Sequence, residues 1–199
     1  MPPNQQSTSP YGAQTDKLSE PGRLMLSDGI LTLVPMRQEH AADLHAAAAV
    51  SAEALRRWMG GAGQPAASLE EALWYIAQQE LSWENGSAYY FMAYDADGAV
   101  GIGFLNSFNH IHRFANLGYW IRSDRTGRGY ATAVTRLLAR FGFETLGLHR
   151  IEIVVDPQNI ASQRVAEKAG AVREGILRNR LLYEQGPHDG VMFSLIPPV

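Results

Sequence analysis

A unit of strand, glycine-rich turn and helix in the middle of the chain constrains its fold and chemistry more than any other feature. The strand-like run Phe114–Ile121 precedes the turn Gly127-Arg128-Gly129, and the segment after the turn carries apolar side chains on one helical stripe. The first turn of a helix has unpaired N–H groups and a positive dipole end, which together hold phosphate. The unit therefore predicts an anion site whose natural ligand is a pyrophosphate.

Three arginines make this turn locally cationic, although the chain has a formal net charge of -3. Arg128 lies in the turn, and Arg122 and Arg125 come shortly before it. The Gly-x-Gly turn alone is weak evidence, and a plain strand-to-helix connection with a solvated Arg128 is the competing interpretation. A Walker-type loop is excluded because no Gly-Lys-Ser/Thr follows. A dinucleotide-binding unit, in which Asp156 at the end of the next strand would be the ribose-binding acid, is disfavoured because Thr132 occupies its third glycine position and no second half follows.

Length and composition predict a single domain behind a flexible leader. The chain has 199 residues, of which 46% are hydrophobic, which suffices for one well-covered core but is short for two. Residues 1–22 are rich in Pro, Gln, Ser, Thr and Gly, and such a segment cannot offset the entropy lost on ordering. We therefore expect the domain to cover residues 23–199, without internal repeats.

Charge, cysteine usage and hydropathy exclude several classes of function. The net negative charge removes the general electrostatic reason to expect a nucleic acid partner. The chain has no cysteine, so disulfides, thiolate metal ligands and a cysteine nucleophile are excluded. A reactive sulfur then has to come from a cofactor. No apolar run approaches the roughly 20 residues of a membrane span, so we expect a cytoplasmic protein with no membrane partner.

The pattern in the N-terminal part of the domain predicts a hairpin followed by helices. Residues 23–34 contain two apolar runs around an Asp28-Gly29 turn. Residues 39–59 are rich in Ala and predict two short helices, the second restarted by Ser51 as an N-cap. Ser68 begins a capping box that opens a further helix. The side chains expected to be buried on that helix are Leu69, Leu73 and Ile76.

The remaining pattern predicts an antiparallel meander, two helices separated by a strand, and a closing hairpin. The strands of the meander are residues 89–94, 99–105 and 114–121. The helix after the turn ends at Gly147, Arg150–Val155 is a strand, and residues 159–168 form the second helix. The hairpin pairs residues 176–183 with 191–196 around Gly186-Pro187. The side chains expected on the inner faces of the two helices are Val134, Leu137, Leu138, Phe141, Ala161, Val165 and Ala169.

Five motifs in a fixed order resemble one enzyme family. They are Leu117-Gly118-Tyr119-Trp120-Ile121, Thr126-Gly127-Arg128-Gly129-Tyr130-Ala131-Thr132, Leu148-His149-Arg150-Ile151-Glu152, Asn159-Ile160-Ala161-Ser162 and Glu167-Lys168-Ala169-Gly170. In this order and spacing they resemble the RimJ/RimL group of the GNAT superfamily of N-acetyltransferases, which acetylates protein N-termini. The resemblance covers nearly everything after the leader.

The resemblance implies an α+β fold and acetyl-CoA as the co-substrate, with no metal. In the GNAT fold a mostly antiparallel sheet, flanked by helices, is splayed at its central strands. The strand of Trp120 and the strand of Val154 are expected to part so that the pantetheine arm of acetyl-CoA lies between them. The other partner is an amine acceptor, and a homodimer is a possible form of the protein.

The resemblance also implies which residues bind coenzyme A. Backbone groups of Trp120 and Ile121 are expected to pair with pantetheine, and N–H groups of the turn to hold the pyrophosphate. Thr126 stands where the family usually has Arg or Gln. Asn159 matches a residue that contacts pantetheine, although a helix cap is the alternative. The full set expected to bind the cofactor is Trp120, Ile121, Gly127, Arg128, Gly129, Tyr130, Ala131, Thr132 and Asn159.

Ser162 is the candidate general acid, whereas the general base is open. In the family the serine that matches Ser162 lies near the sulfur and can protonate the departing thiolate; a first-turn polar residue is the alternative. Many relatives carry Glu where this chain has Asn116, and some carry Glu where it has Leu182. The remaining base candidates are Glu184, His188, His110 and His112, of which we retain His188 and Glu184. Asp189, next to His188, is equally explained as a turn-stabilising carboxylate.

Trp58 is the aromatic residue expected to shape the acceptor pocket, because it precedes a glycine-rich loop where the acceptor site of the family lies. Most of the other aromatic residues weighed for this role are expected to belong to the core. These are Trp74, Trp83, Tyr89 and Tyr90.

The predicted reaction is direct attack of a primary amine on acetyl-CoA, which needs a neutral nitrogen, an oxyanion donor and a proton for the sulfur. An α-amine has a pKa of about 7.7–8.0 and a lysine side chain about 10.4. Without a carboxylate at Asn116 or Leu182, a protein N-terminal α-amine is the expected acceptor. The alternatives are acetylation of a small-molecule amine and a GNAT-shaped module that binds acyl-CoA without catalysis.

Overall fold

The computed structural model describes residues 24–59 and 67–197, which form one sheet with helices on both faces. The predicted leader and the loop after Trp58 lie outside the described residues. The helices are α1 (Ala41–Met59), α2 (Leu69–Glu84), α3 (Tyr130–Arg140) and α4 (Ile160–Ala169). The strands are β1 (Leu26–Ser27), β2 (Thr32–Pro35), β3 (Tyr89–Asp95), β4 (Gly98–Asn109), β5 (Phe114–Ile121), β6 (Arg150–Val155), β7 (Val172–Tyr183) and β8 (Gly186–Leu195).

The sheet has the strand order β1-β2-β3-β4-β5-β6-β8-β7 and confirms the predicted α+β class. Neighbouring strands are antiparallel except β5 and β6, which are parallel. The strands β3, β4 and β5 form the predicted meander. The pairing of β5 with β6 runs only from Phe114 opposite Arg150 to Asn116 opposite Glu152. Beyond these pairs the two strands separate, as the resemblance implies.

Two apolar clusters hold the helices on opposite faces of the sheet. On one face, the inner stripe of α3 is buried as predicted, and the helix continues into a wider turn at Phe141–Thr145. On the other face, α1 and α2 bury Leu44, Leu55 and Ile76. Burying a large aliphatic side chain contributes about 1.5–3 kcal/mol, so this packing fixes the start of α3 and the end of α1 relative to the central strands.

The helix α1 is continuous, and the prediction of two short helices is wrong. Ser51 lies inside it with 1% of its surface exposed. Its Oγ accepts a hydrogen bond from the backbone N–H of Ser123 at 3.1 Å. The hydroxyl is therefore engaged by a distant loop and does not cap a new helix, while the Ala-rich sequence on both sides sustains the helical conformation.

The predicted buried faces of α2 and α4 are partly wrong. The N-cap of α2 is confirmed, because Ser68 Oγ accepts the N–H of Glu71 at 3.1 Å. However, Leu69 and Leu73 are 49% and 38% exposed. Apolar residues surround much of this helix, so their pattern does not select one face. The residues buried on α2 are Ala72, Ile76 and Trp83, and the residue buried on α4 is Ala166, not Ala161.

The closing hairpin is longer than predicted and turns earlier. Tyr183 pairs with Gly186, so the turn lies at residues 184–185 and the predicted turn residues belong to β8. A bulge interrupts β7 at Asn179, whose φ is 52°. The N–H of Asn179 donates to Oδ1 of Asp189 at 2.9 Å. Asp189 therefore stabilises this bulge.

Candidate active site

A groove of about 700 Å³ opens on the sheet where β5 and β6 separate. One wall is β5 from Asn116 to Ile121, and another is formed by the end of β6 and the start of α4. Residues from the start of α3, the last turns of α1 and the end of β7 complete the lining. The groove therefore joins the predicted phosphate turn, the candidate acid Ser162 and the predicted acceptor residue Trp58 in one space.

The phosphate turn presents an uncapped helix N-terminus to this groove. Gly127 and Gly129 have φ values of 77° and 84°, a left-handed conformation that favours glycine. Gly129 is the N-cap of α3, and no side chain caps the helix there. The residues of the turn that line the groove are Gly127, Gly129, Tyr130, Ala131 and Thr132. Free N–H groups at the start of an 11-residue helix fit a pyrophosphate.

The arginines around the turn are less available to an anion than the sequence indicates. Arg122 forms an ion pair with Asp124 at 2.9 Å, and Arg125 forms one with Asp95 at 2.9 Å. Arg128 does not line the groove, and no carboxylate of the described residues lies within ion-pair distance of it. Carboxylates therefore engage Arg122 and Arg125, while the backbone N–H groups of the turn and Arg128 remain to bind an anion.

The upper part of β5 offers an open strand edge to the groove. Trp120 and Ile121 both line it and pair with β4 on their other side, opposite Ile102 and Gly101. They have no pairing partner on β6. A strand with one free edge presents N–H and C=O groups that can pair with an extended amide chain. Pantetheine has this character, so the edge fits the predicted binding mode.

Ser162 and Asn159 meet at the start of α4. Asn159 is the N-cap, and its Oδ1 accepts the N–H of Ser162 at 3.1 Å. The Ser162 hydroxyl lies 2.7 Å from the hydroxyl of Tyr119 on β5. Burial raises the pKa of Tyr119 to about 12, although its hydrogen bond with Ser162 acts in the opposite direction. Tyr119 therefore stays protonated near neutral pH. It is a hydroxyl partner of Ser162 that belongs to the motif on β5, but nothing in the sequence indicated this contact.

Residues 31–172 match the family model described as an acetyltransferase (GNAT) domain. The chain belongs to the GNAT acetyltransferase family. It is 32% identical over 126 residues to the "Probable N-acetyltransferase YjcK" of Bacillus subtilis, an alignment that covers 62% of this chain and 70% of that protein.

Two solved structures place the chain near the RimJ/RimL group. The "putative ribosomal-protein-serine acetyltransferase" of Vibrio cholerae is 31% identical, with a TM-score of 0.70 and coverage of 88% of this chain and 98% of that one. RimJ of Mycobacterium smegmatis, in complex with a CoA disulfide, is 26% identical, with a TM-score of 0.79 and coverage of 87% and 86%. The resemblance to RimJ/RimL enzymes is confirmed.

As a member of this family, the chain is an acetyl-CoA-dependent N-acetyltransferase. The uncapped start of α3 and the open edge of β5 fit this co-substrate. Within residues 24–59 and 67–197, no group of three or more His, Asp or Glu side chains is placed to hold a metal ion. The helices of the same residues include none with the length and apolar character needed to cross a membrane.

Most of the base candidates lie away from the groove of this GNAT enzyme. Asn116 lines it, but its amide donates to Asn106 Oδ1 at 3.0 Å, so the pair is an amide ladder between two strands. His110 and His112 lie in the turn between β4 and β5 and do not line the groove. Glu184 lies in the hairpin turn and does not line it either.

His188 is the base candidate that the fold brings to the groove margin. Its Nδ1 lies 3.1 Å from Oδ2 of Asp156, and its ring packs against Tyr183 with 4.8 Å between centroids. Asp156 and Tyr183 line the groove, whereas His188 does not. The sequence pattern pointed to Asp156 only as the acid of the disfavoured dinucleotide site. The sequence signal that could have pointed to Asp156 as a residue of the active site is its position, directly after a buried strand and three residues before the helix cap Asn159.

Trp58 lies near the end of α1 and borders the groove. Its backbone oxygen accepts a hydrogen bond from the Tyr183 hydroxyl at 3.4 Å, and the guanidinium of Arg57 lies 4.6 Å from the centre of its ring. Of the five aromatic residues weighed in the sequence, Trp58 alone is among the described residues that line the groove. The side chains of Trp83 and Tyr89 are buried, as expected for the core, but Trp74 is 67% exposed.

Proposed function

We propose that this GNAT enzyme transfers the acetyl group of acetyl-CoA to the α-amino group of a protein N-terminus. The observation that carries the proposal is the charge of the groove, because Asp156 is the single carboxylate among the described residues that line it. A polyamine has several ammonium groups and is best bound by several carboxylates. Residues 60–66, which follow α1 in the chain, contain no acid in their sequence either.

The basicity of the acceptor supports an α-amine over a lysine side chain. With pKa values of about 7.7–8.0 for α-amines and about 10.4 for lysine, roughly a tenth of α-amines are neutral at pH 7, against well under a thousandth of lysines. This chain has Asn116 where many relatives carry Glu, and Leu182 where some carry Glu. A site with limited capacity to remove protons is better matched to the α-amine. The name of the Vibrio cholerae protein also favours a protein acceptor.

In this proposal the residues of the groove divide the chemistry among them. Acetyl-CoA supplies a thioester, whose acyl carbon passes from sulfur to the acceptor nitrogen with release of the CoA thiol and one proton. The turn before α3 holds the pyrophosphate, while Asn159 and the free edge of β5 hold the pantetheine arm. Ser162 protonates the departing sulfur, and His188 receives the proton of the acceptor ammonium. Trp58 forms part of the acceptor pocket.

Matched peptides test the acceptor. We expect a peptide with a free α-amine and no lysine to be acetylated, and the same peptide with a blocked N-terminus and an added lysine to remain unmodified, as measured by mass spectrometry. Preferential acetylation of the blocked peptide would contradict the N-terminal assignment but not the acetyl transfer. Tight binding of acetyl-CoA without transfer to any peptide or small amine would favour a binding module instead.

A further inference from the structure

Asp156 is a buried carboxylate at the groove whose two oxygens are both engaged. It follows β6 directly, and its side chain is 6% exposed. Its Oδ1 accepts the N–H of Gln158 at 2.8 Å, and its Oδ2 lies 3.1 Å from Nδ1 of His188. The contact with Gln158 holds the carboxylate in place before α4. The carboxylate therefore fixes the orientation of the imidazole ring of His188.

We propose that Asp156 is a positioning residue that makes His188 the general base for the acceptor amine, an inference that rests on the proposed function. An ionised carboxylate only accepts hydrogen bonds, so Nδ1 of the neutral imidazole carries the ring proton. The lone pair of Nε2 on the far side of the ring is then free to accept a proton. Because His188 does not line the groove itself but contacts Asp156 and Tyr183, which do, the proton reaches Nε2 through water.

The groups that surround His188 are consistent with this role. The charged and titratable side chains on the elements packed around it are Asp156, Tyr183, Arg180 and Asp189. Burial and the charge of Asp156 raise the pKa of Tyr183, so this phenol does not compete as a base. Asp189 is occupied by the bulge of β7. Asp156 is therefore the carboxylate that stabilises the imidazolium once the proton has arrived.

The proton balance of this step is simple. The acceptor ammonium gives one proton through water to Nε2 of His188, which leaves a neutral amine and an imidazolium paired with Asp156. The neutral amine then attacks the acyl carbon, the C–N bond forms and the C–S bond breaks. The departing sulfur takes the proton of the Ser162 hydroxyl, which is replaced by the second proton lost from the acceptor nitrogen, and the imidazolium returns its own proton to solvent. No covalent bond to the protein forms in the step.

The variant Asp156→Asn tests the positioning role with little change in shape. Asn can still accept the N–H of Gln158, but its NH₂ group donates toward Nδ1 and selects the tautomer with the proton on Nε2. We expect kcat with a free-amine peptide to fall about 100-fold at pH 7, with acetyl-CoA affinity unchanged. The loss should shrink at alkaline pH, where the α-amine is neutral without a base, and His188→Gln should behave in the same way.

The control variant is Asp189→Asn, which removes the neighbouring carboxylate but keeps an acceptor for the N–H of Asn179. Its kcat and pH profile should match those of the wild type. Nitrogen-15 NMR of the free proteins gives a readout independent of activity: His188 should carry its proton on Nδ1 in the wild type and on Nε2 in Asp156→Asn.

Three results would overturn the inference: an Nε2-protonated His188 in the wild type, no loss of kcat in Asp156→Asn, or a loss of equal size at every pH. The last result would indicate a purely structural role for Asp156. If the wild-type protein acetylates no α-amine at all, the proposed function fails instead, and the NMR tautomers still report on the geometry of the couple.

Discussion

The left-handed backbone at Gly129 links the start of α3 to the binding of the pyrophosphate. A β-branched residue at a φ of 84° costs about 1–3 kcal/mol and also places side-chain atoms where the phosphate approaches. We expect Gly129→Val to weaken CoA binding about tenfold or more, as measured by calorimetry. Gly29→Val is the matched control, because Gly29 has a φ of 91°, equally open space around it and a position in the β1–β2 turn. Unchanged CoA affinity in a folded Gly129→Val protein would place the pyrophosphate elsewhere.

The hydroxyl of Ser162 is proposed to act on the sulfur only as charge develops there. Removing such a group lowers turnover more than it lowers affinity for the ground state. We therefore expect Ser162→Ala to reduce kcat roughly 100-fold with little change in the Kd of acetyl-CoA. Asn159→Ala should show the reverse, weaker binding with a smaller effect on kcat, because it removes the cap that anchors this end of α4. Wild-type kcat for Ser162→Ala, with chemistry rate-limiting, contradicts the acid assignment.

At the scale of the element, Ser51 ties α1 to the loop that precedes the phosphate turn. Replacing it with Ala leaves the N–H of Ser123 without its partner in a partly buried place. An unmade hydrogen bond of this kind costs about 1–3 kcal/mol, which corresponds to a decrease in Tm of roughly 2–12 °C in a domain of this size. The exposed Ser87→Ala variant, measured in the same thermal melts, should keep the Tm of the wild type. An unchanged Tm in Ser51→Ala would show that water replaces the serine hydroxyl.

The elements that the sequence predicts well are those whose signals are local. Arg150–Val155 and Phe114–Ile121 are strands with the predicted bounds, and the inner stripe of α3 has a clear helical period. The face of α2 could not be predicted, since Leu69 and Leu73 are as apolar as the residues that are buried. The prediction of a second N-cap at Ser51 failed because a loop 72 residues away engages its hydroxyl, a contact that no local pattern encodes.

At the scale of the molecule, the cofactor site could be predicted from a local sequence signal, whereas the rest of the candidate active site depends on contacts between distant residues. The phosphate turn lies within one short segment, so a motif predicts its geometry. The couple of Asp156 and His188 joins residues 32 apart in the sequence and depends on the antiparallel pairing of β6 with β8. The bulge at Asn179 sets where the end of β7 lies beside this couple. Such contacts are consequences of the whole sheet, and the sequence contains no separate signal for them.

The separation of β5 from β6 leaves this protein as two half-sheets, β1 to β5 and β6 to β8, joined by three residue pairs. An extended ligand whose amide groups pair with the strand edges in the gap connects the two half-sheets. Such a ligand also raises the stability of the folded state by mass action. In each catalytic cycle, the binding of acetyl-CoA then connects the two half-sheets, and the release of CoA separates them again.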